Sequence, residues 1–142
     1  MALTKIPAPD VAPIDPRSGR WDDNYYDVIR QMDNLYPLSP RTINFNTGTS
    51  YTFALTDAGA FCDFTNAAAV TVTVPPNSTV PFQIGTVIEV MQGGAGKVTF
   101  AIGAGVTIKS VSSFKALSAQ EAVGRLIQMS ANVWRLSGSL IA

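Results

Sequence analysis

The feature that most constrains this chain is Val70-Thr71-Val72-Thr73-Val74 followed by Pro75-Pro76. Three valines alternate with two threonines, so an extended backbone puts all the apolar side chains on one face. β-branched residues are stiff at χ1 and pack well on a pleated surface, which predicts a strand with one buried face. Proline has no N–H to give a sheet ladder, so that strand must stop at Val74. Similar short alternating runs occur at 49–53, 87–91, 97–102 and 106–109, separated by Gly, Pro, Asn and Ser. Several half-buried strands in one chain must cover one another. The fold class expected is mainly β, a sandwich or barrel.

The predicted strands run over 42–45, 49–55, 60–65, 70–74, 86–92, 97–102, 106–110 and 114–117. Strands at 124–129 and 133–137 follow as a hairpin over Ser130-Ala131-Asn132. Residues 119–128 also have helix propensity, but Val123-Gly124 and the Leu126/Gln128 alternation favour strand. Ala95-Gly96-Lys97-Val98-Thr99-Phe100 and Ala104-Gly105-Val106-Thr107-Ile108 echo each other weakly, and two copies are too few to define a repeat architecture.

What precedes the strands is different material. Residues 1–41 hold eleven of the twenty formally charged residues of the 142-residue chain. Pro7, Pro9, Pro13 and Pro16 exclude a helix over residues 1–20 and favour an extended, polyproline-like path. Ile6, Val11 and Ile14 are interleaved with the prolines, and Asp15-Pro16-Arg17-Ser18-Gly19 reads as a turn. This favours an arm that becomes ordered on a partner over a disordered tail. Residues 22–36 read as one amphipathic helix, with Trp21, Tyr25, Val28, Met32 and Leu35 or Tyr36 at three- and four-residue spacing. Asp22 suits the N-cap, Trp21 and Tyr26 suit a hydrophobic staple, and Pro37 and Pro40 end the helix. A lone helix of this length is marginal in water, so its aromatic stripe needs a surface to pack on. The expected organisation is a docking arm over 1–20, an amphipathic helix and linker over 21–40, and an all-β trimerisation domain over 41–142. The partner-binding residues expected are Ile6, Val11, Ile14, Pro16, Trp21 and Tyr25.

Composition removes most chemistry. Ten Lys and Arg balance ten Asp and Glu, which argues against a nucleic-acid binder with its concentrated basic excess. The chain has no histidine and one cysteine, Cys62. That excludes a Ser-His-Asp triad, a Cys-His pair, an internal disulfide and a multi-cysteine metal site. Cys62 is expected as a small hydrophobe on the strand at 60–65. No apolar h-region of a signal peptide is expected at the start, and no run approaches the roughly 18 apolar residues of a membrane helix. The low charge fits a surface covered by other copies or other proteins, or one rich in uncharged polar residues.

Three features invite a functional assignment. Asp57, Asp63, Glu89 and Glu121 are the only carboxylates after residue 41, and a glycosidase needs two of them about 5–10 Å apart. Turns and solvated strand faces are the expected places for them. Gly93-Gly94-Ala95-Gly96-Lys97 lacks the Lys-Ser/Thr ending of a phosphate loop and is expected as a hairpin turn. Trp134, between Val133 and Leu136, suits a core or subunit-interface role better than sugar stacking.

Taken in order, residues 46–138 resemble a β-domain of tailed-bacteriophage virion proteins, especially tail fibres and attachment modules. The resemblance rests on Thr49-Ser50-Tyr51-Thr52-Phe53-Ala54-Leu55-Thr56-Asp57-Ala58-Gly59 and on Ala68-Ala69-Val70-Thr71-Val72-Thr73-Val74-Pro75. It continues through Phe82-Gln83-Ile84-Gly85-Thr86, Gly94-Ala95-Gly96-Lys97-Val98-Thr99-Phe100 and Gly103-Ala104-Gly105-Val106-Thr107-Ile108, and closes on Asn132-Val133-Trp134-Arg135-Leu136. Val11-Ala12-Pro13-Ile14-Asp15-Pro16-Arg17-Ser18-Gly19, with Trp21 and Tyr25-Tyr26, is similar to the beginnings of small phage structural proteins. The resemblance implies a non-enzymatic homotrimer that docks on other virion proteins through its N-terminal part and needs no cofactor. It implies a place in the virion, at the tail or head–tail junction, after synthesis in the host cytoplasm. The short chain favours an adaptor, a short fibre or a capsid decoration protein. A carbohydrate-binding module, with a host glycan as partner, is the alternative from another class.

Overall fold

In a computed structural model, residues 41–142 are described, and they contain eleven strands and two short 3-10 turns. The strands are β1 (Ile43–Asn46), β2 (Ser50–Thr52), β3 (Phe61–Phe64), β4 (Val70–Val74), β5 (Val87–Met91) and β6 (Val98–Ile102). They continue as β7 (Thr107–Lys109), β8 (Ala116–Leu117), β9 (Val123–Ser130), β10 (Val133–Gly138) and β11 (Leu140–Ile141). The strand over Val70–Val74 has the expected bounds and burial, with its three valines inside. The 3-10 turns lie at Leu55–Asp57, which shortens the strand expected over 49–55, and at Val111–Ser113.

Two sheets form. One has the order β1-β3-β5-β9-β10-β7 and the other β11-β8-β6-β4-β2. Both have free edges, so the architecture is a sandwich and not a closed barrel. Successive strands from β1 to β6 alternate between the sheets, and β1, β3 and β5 run parallel, as do β2, β4 and β6. The first half of the unit is therefore wound, each turn of chain supplying one strand to each sheet. Only β9 and β10 form the expected hairpin, antiparallel around a turn in which Asn132 has φ +61°.

The winding corrects the reading of the glycine run. Residues 92–97 do not close a hairpin, because β5 and β6 lie in different sheets. They cross the end of the sandwich directly on the preceding crossing at 65–69. Gly94 N donates to Phe64 O at 2.9 Å and Gly96 N to Asn66 O at 3.0 Å. A Cβ on Gly94 would strike the backbone of Thr65 and Asn66, and one on Gly96 the carbonyl of Ala68. Glycine is needed because one backbone stacks on another. The stack continues downward: Asn66 Nδ2 donates to Thr47 O at 2.6 Å, in the β1–β2 crossing. The echoing segments around β6 and β7 are no repeat, since these strands enter different sheets.

The core fills the space between the inner faces. Cys62, Phe64, Ile88, Val90, Leu126, Trp134 and Leu136 meet Val70, Val72, Val74, Val98, Phe100 and Leu117, all of them buried. Trp134 packs edge-to-face on Phe82, with ring centroids 5.4 Å apart and an interplanar angle of 88°. Its indole N–H has no acceptor among the described residues.

Candidate functional site

One end of the core is closed by a polar cluster. Asp57 lies in a turn, as expected, but is only 1% exposed. The 3-10 turn carries its carboxylate inward beneath β1 and β2. Oδ2 accepts from the N–H of Ala54 at 2.8 Å and from the hydroxyl of Tyr51 at 2.9 Å. Oδ1 accepts from Nδ2 of Asn44 at 2.8 Å, and the Cys62 thiol lies 3.7 Å from it. A carboxylate with that many donors is tolerable where an unpartnered one would not be. Burial, then the hydrogen bond and charge of Asp57, push the Tyr51 hydroxyl up to about 12. Burial, then the Asp57 charge and contact, push the Cys62 thiol up to about 12 as well. Cys62 is fully buried on β3 as expected, and so held as a neutral thiol, a poor nucleophile.

The other carboxylates do not join Asp57. Asp63 and Glu89 lie on the outer face of the six-stranded sheet, on adjacent strands. Glu89 pairs with Arg41 and has Arg125 Nε at 3.8 Å. The Asp63 carboxylate lies against Gly93, with Oδ1 buried and lacking a partner among the described residues. Glu121 is exposed in the turn before β9. No group of three or more Cys, Asp or Glu side chains that could hold a metal occurs among the described residues, and no helix there is long and apolar enough to cross a membrane.

The outward faces of the sheets differ in chemistry. On the five-stranded sheet, register brings Ser50, Thr71 and Thr99 into one row and Thr52, Thr73 and Ala101 into the next. That face is small, neutral and polar. On the six-stranded sheet, Phe45, Asp63, Met91 and Val123 form one row, and Ile43, Phe61, Glu89 and Arg125 the next. Phe45 is 67% exposed and Ile43 54% exposed. The alternation in β1 runs against simple expectation, because Asn44 and Asn46 face inward and Ile43 and Phe45 outward. Asn44 must face inward to reach Asp57. Parallel strands ordinarily have both faces covered, so this outward apolar surface at β1, β3 and β5 is unusual.

A groove of about 660 Å³ opens at the other edge of the same face, between β7, β9 and β10 and the turn Val111–Ser113. Lys109 and Arg135 stand beside Val111, Ile127 and Met129. Neither the outward apolar rows nor this groove was among the site residues expected from sequence. Their signal, Ile43-x-Phe45 and Lys109 against Arg135, acquires meaning only with strand register. The expected partner-binding residues Ile6, Val11, Ile14, Pro16, Trp21 and Tyr25 lie outside the described residues. No protein-family model matches the chain, and no curated protein matches it.

Proposed function

We propose that this chain is a non-enzymatic virion structural protein of a tailed bacteriophage, a short tail fibre or fibre adaptor. Residues 1–36 attach it to other virion proteins at the tail or head–tail junction, and residues 41–142 hold three copies together. The observation that carries the proposal is the outward apolar surface of Ile43, Phe45, Phe61 and Met91 on parallel strands, continued by Val123 on antiparallel β9. The occupant is a second copy of the same unit. Glu89 is offset by Arg41 and Arg125 on this surface, so like copies approach without a strong like-charge field. A closed ring of such contacts removes the surface from water in every subunit. The resemblance of residues 46–138 to fibre and attachment domains supports the same role.

A density map of particles carrying the labelled protein tests the assignment. Three or a small multiple of three copies around the tail or its junction is the expected result. Many copies distributed over the shell would make it a capsid decoration protein, and absence from particles would end the proposal.

A further inference from the structure

We propose that the groove at the β7 edge of the six-stranded sheet binds an anionic saccharide, a sugar chain bearing carboxylate groups. Lys109 and Arg135 are register partners on adjacent parallel strands, both exposed on the outer face. Like charges directly opposite each other oppose sheet pairing, so the arrangement works against the fold that contains it. Arg41 and Arg125 meet Glu89, and Lys97 Nζ donates to the carbonyl of Ala142 at 2.8 Å, while Lys115, also without a partner among the described residues, has no second cation as its register partner. Among the described residues, Lys109 and Arg135 have neither a salt bridge nor a side-chain hydrogen bond, and no carboxylate lines their groove. An anionic ligand supplies what this pair lacks, and a planar guanidinium can hold a carboxylate through two parallel hydrogen bonds.

The rest of the groove selects the body that carries the charge. Ile127 and Met129 form an apolar floor, and Val111, 67% exposed, stands at the rim. Ser112 and Ser113, consecutive non-glycine residues, have φ of +50° and +61° in the turn that holds Val111 there. Such strain collects where a loop is held in place for a ligand. An acidic peptide would dock best by adding a strand at the sheet edge. Here β7 has only three residues before the turn, so the edge is too short for that. A sugar chain needs no strand edge: its C–H faces lie over the apolar floor and its carboxylates reach the two cations. The site is separate from the apolar rows at β1, β3 and β5 and stands whatever the particle assignment proves to be.

The test is titration of the full chain with tetragalacturonate, its neutral methyl ester and hexaglutamate, read by calorimetry and by NMR shifts. Tetragalacturonate is expected to bind in a salt-sensitive way and to shift signals of Lys109, Ile127, Met129 and Arg135. The ester and the peptide should bind about tenfold more weakly or less, the size of one lost charge-assisted contact. The variant K109Q/R135Q should lose about tenfold or more in affinity while melting at or above the parent temperature, and K97Q should bind normally. If K109Q/R135Q fails to fold, the shift map on the parent chain decides. No tetragalacturonate binding at millimolar concentration, shifts elsewhere on the surface, or equal binding of the ester would overturn the proposal. Tighter binding of hexaglutamate would replace the saccharide with an acidic peptide.

Discussion

Replacing Asp57 should damage this protein more than its position in a short turn suggests. The carboxylate accepts from Asn44, Tyr51 and Ala54 at 2.8–2.9 Å, in a site where Asp57 itself is 1% exposed. Asp57→Ala leaves the Tyr51 hydroxyl and the Ala54 N–H without this acceptor, while Asn44 Nδ2 keeps only the Tyr51 hydroxyl, at 3.0 Å. A stranded buried group costs about 1–3 kcal/mol, and half-buried Tyr51 and Ala54, an exposed residue, belong near the lower end. The sum is about 2–3 kcal/mol, a sizeable share of the roughly 5–15 kcal/mol that holds a typical domain folded. Asp57→Asn keeps the volume and one acceptor oxygen and should cost about 1–2 kcal/mol. Urea denaturation followed by tryptophan fluorescence reads these differences through buried Trp134. With m of about 1–1.5 kcal/mol per molar urea, the Asp57→Ala midpoint should fall by roughly 1–3 M. Tyr51→Phe should cost about 1 kcal/mol in the parent and clearly less beside Asp57→Ala, since its hydroxyl then has no acceptor and keeps only the bond it accepts from Asn44. An Asp57→Ala cost below about 1 kcal/mol at unchanged m, or equal Tyr51→Phe costs in both backgrounds, would refute the role assigned to this cluster.

The same cluster makes stability sensitive to alkali. Folding raises the pKa of Tyr51 from 10.0 and of Cys62 from 9.0, each to about 12. Their neutral forms are favoured in the folded state, so this stability is complete below pH 9 and lost as pH rises towards 12. Melting temperatures measured across that range should fall, and a flat profile would contradict the burial of these groups. Gly96→Ala should cost more than about 3 kcal/mol or abolish soluble expression, because the new Cβ meets the Ala68 carbonyl of the stacked crossing. A melting temperature within a degree or two of the parent would show that the crossings are not in contact. Sedimentation of the full chain should give a trimer, and Phe45→Glu should give monomers with native circular dichroism. A parent monomer at micromolar concentration would remove the basis for the copy contact. Deleting residues 1–20, or Trp21→Ala, should leave a folded trimer that no longer incorporates into particles, and normal incorporation would move docking to the β-unit.

Local pattern determined a good deal of this protein. Val70–Val74 was legible because alternating β-branched residues allow only one face to be buried and Pro75 cannot extend the ladder. The hairpin around Asn132 was legible because a short polar turn between two alternating runs leaves them little choice but to pair. The burial of Cys62 and Trp134 followed from their strand neighbours. Side-chain alternation, however, says which residues share a face and nothing about which strand lies alongside. The parallel winding of β1 to β6 depends on partners 18 to 28 residues apart, as in Ile43 with Phe61 and Phe61 with Glu89. Its glycine crossings therefore looked like hairpin turns. Nor does alternation say which face points inward: β1 turns Asn44 inward to bond Asp57, which is carried in by a turn that begins eleven residues later. The Lys109–Arg135 pair is likewise a product of register between β7 and β10, two strands separated in sequence by β8 and β9. Sequence decided which segments are strands. Tertiary structure decided their neighbours, because pairing is settled by the packing of the whole sandwich and not by any one strand.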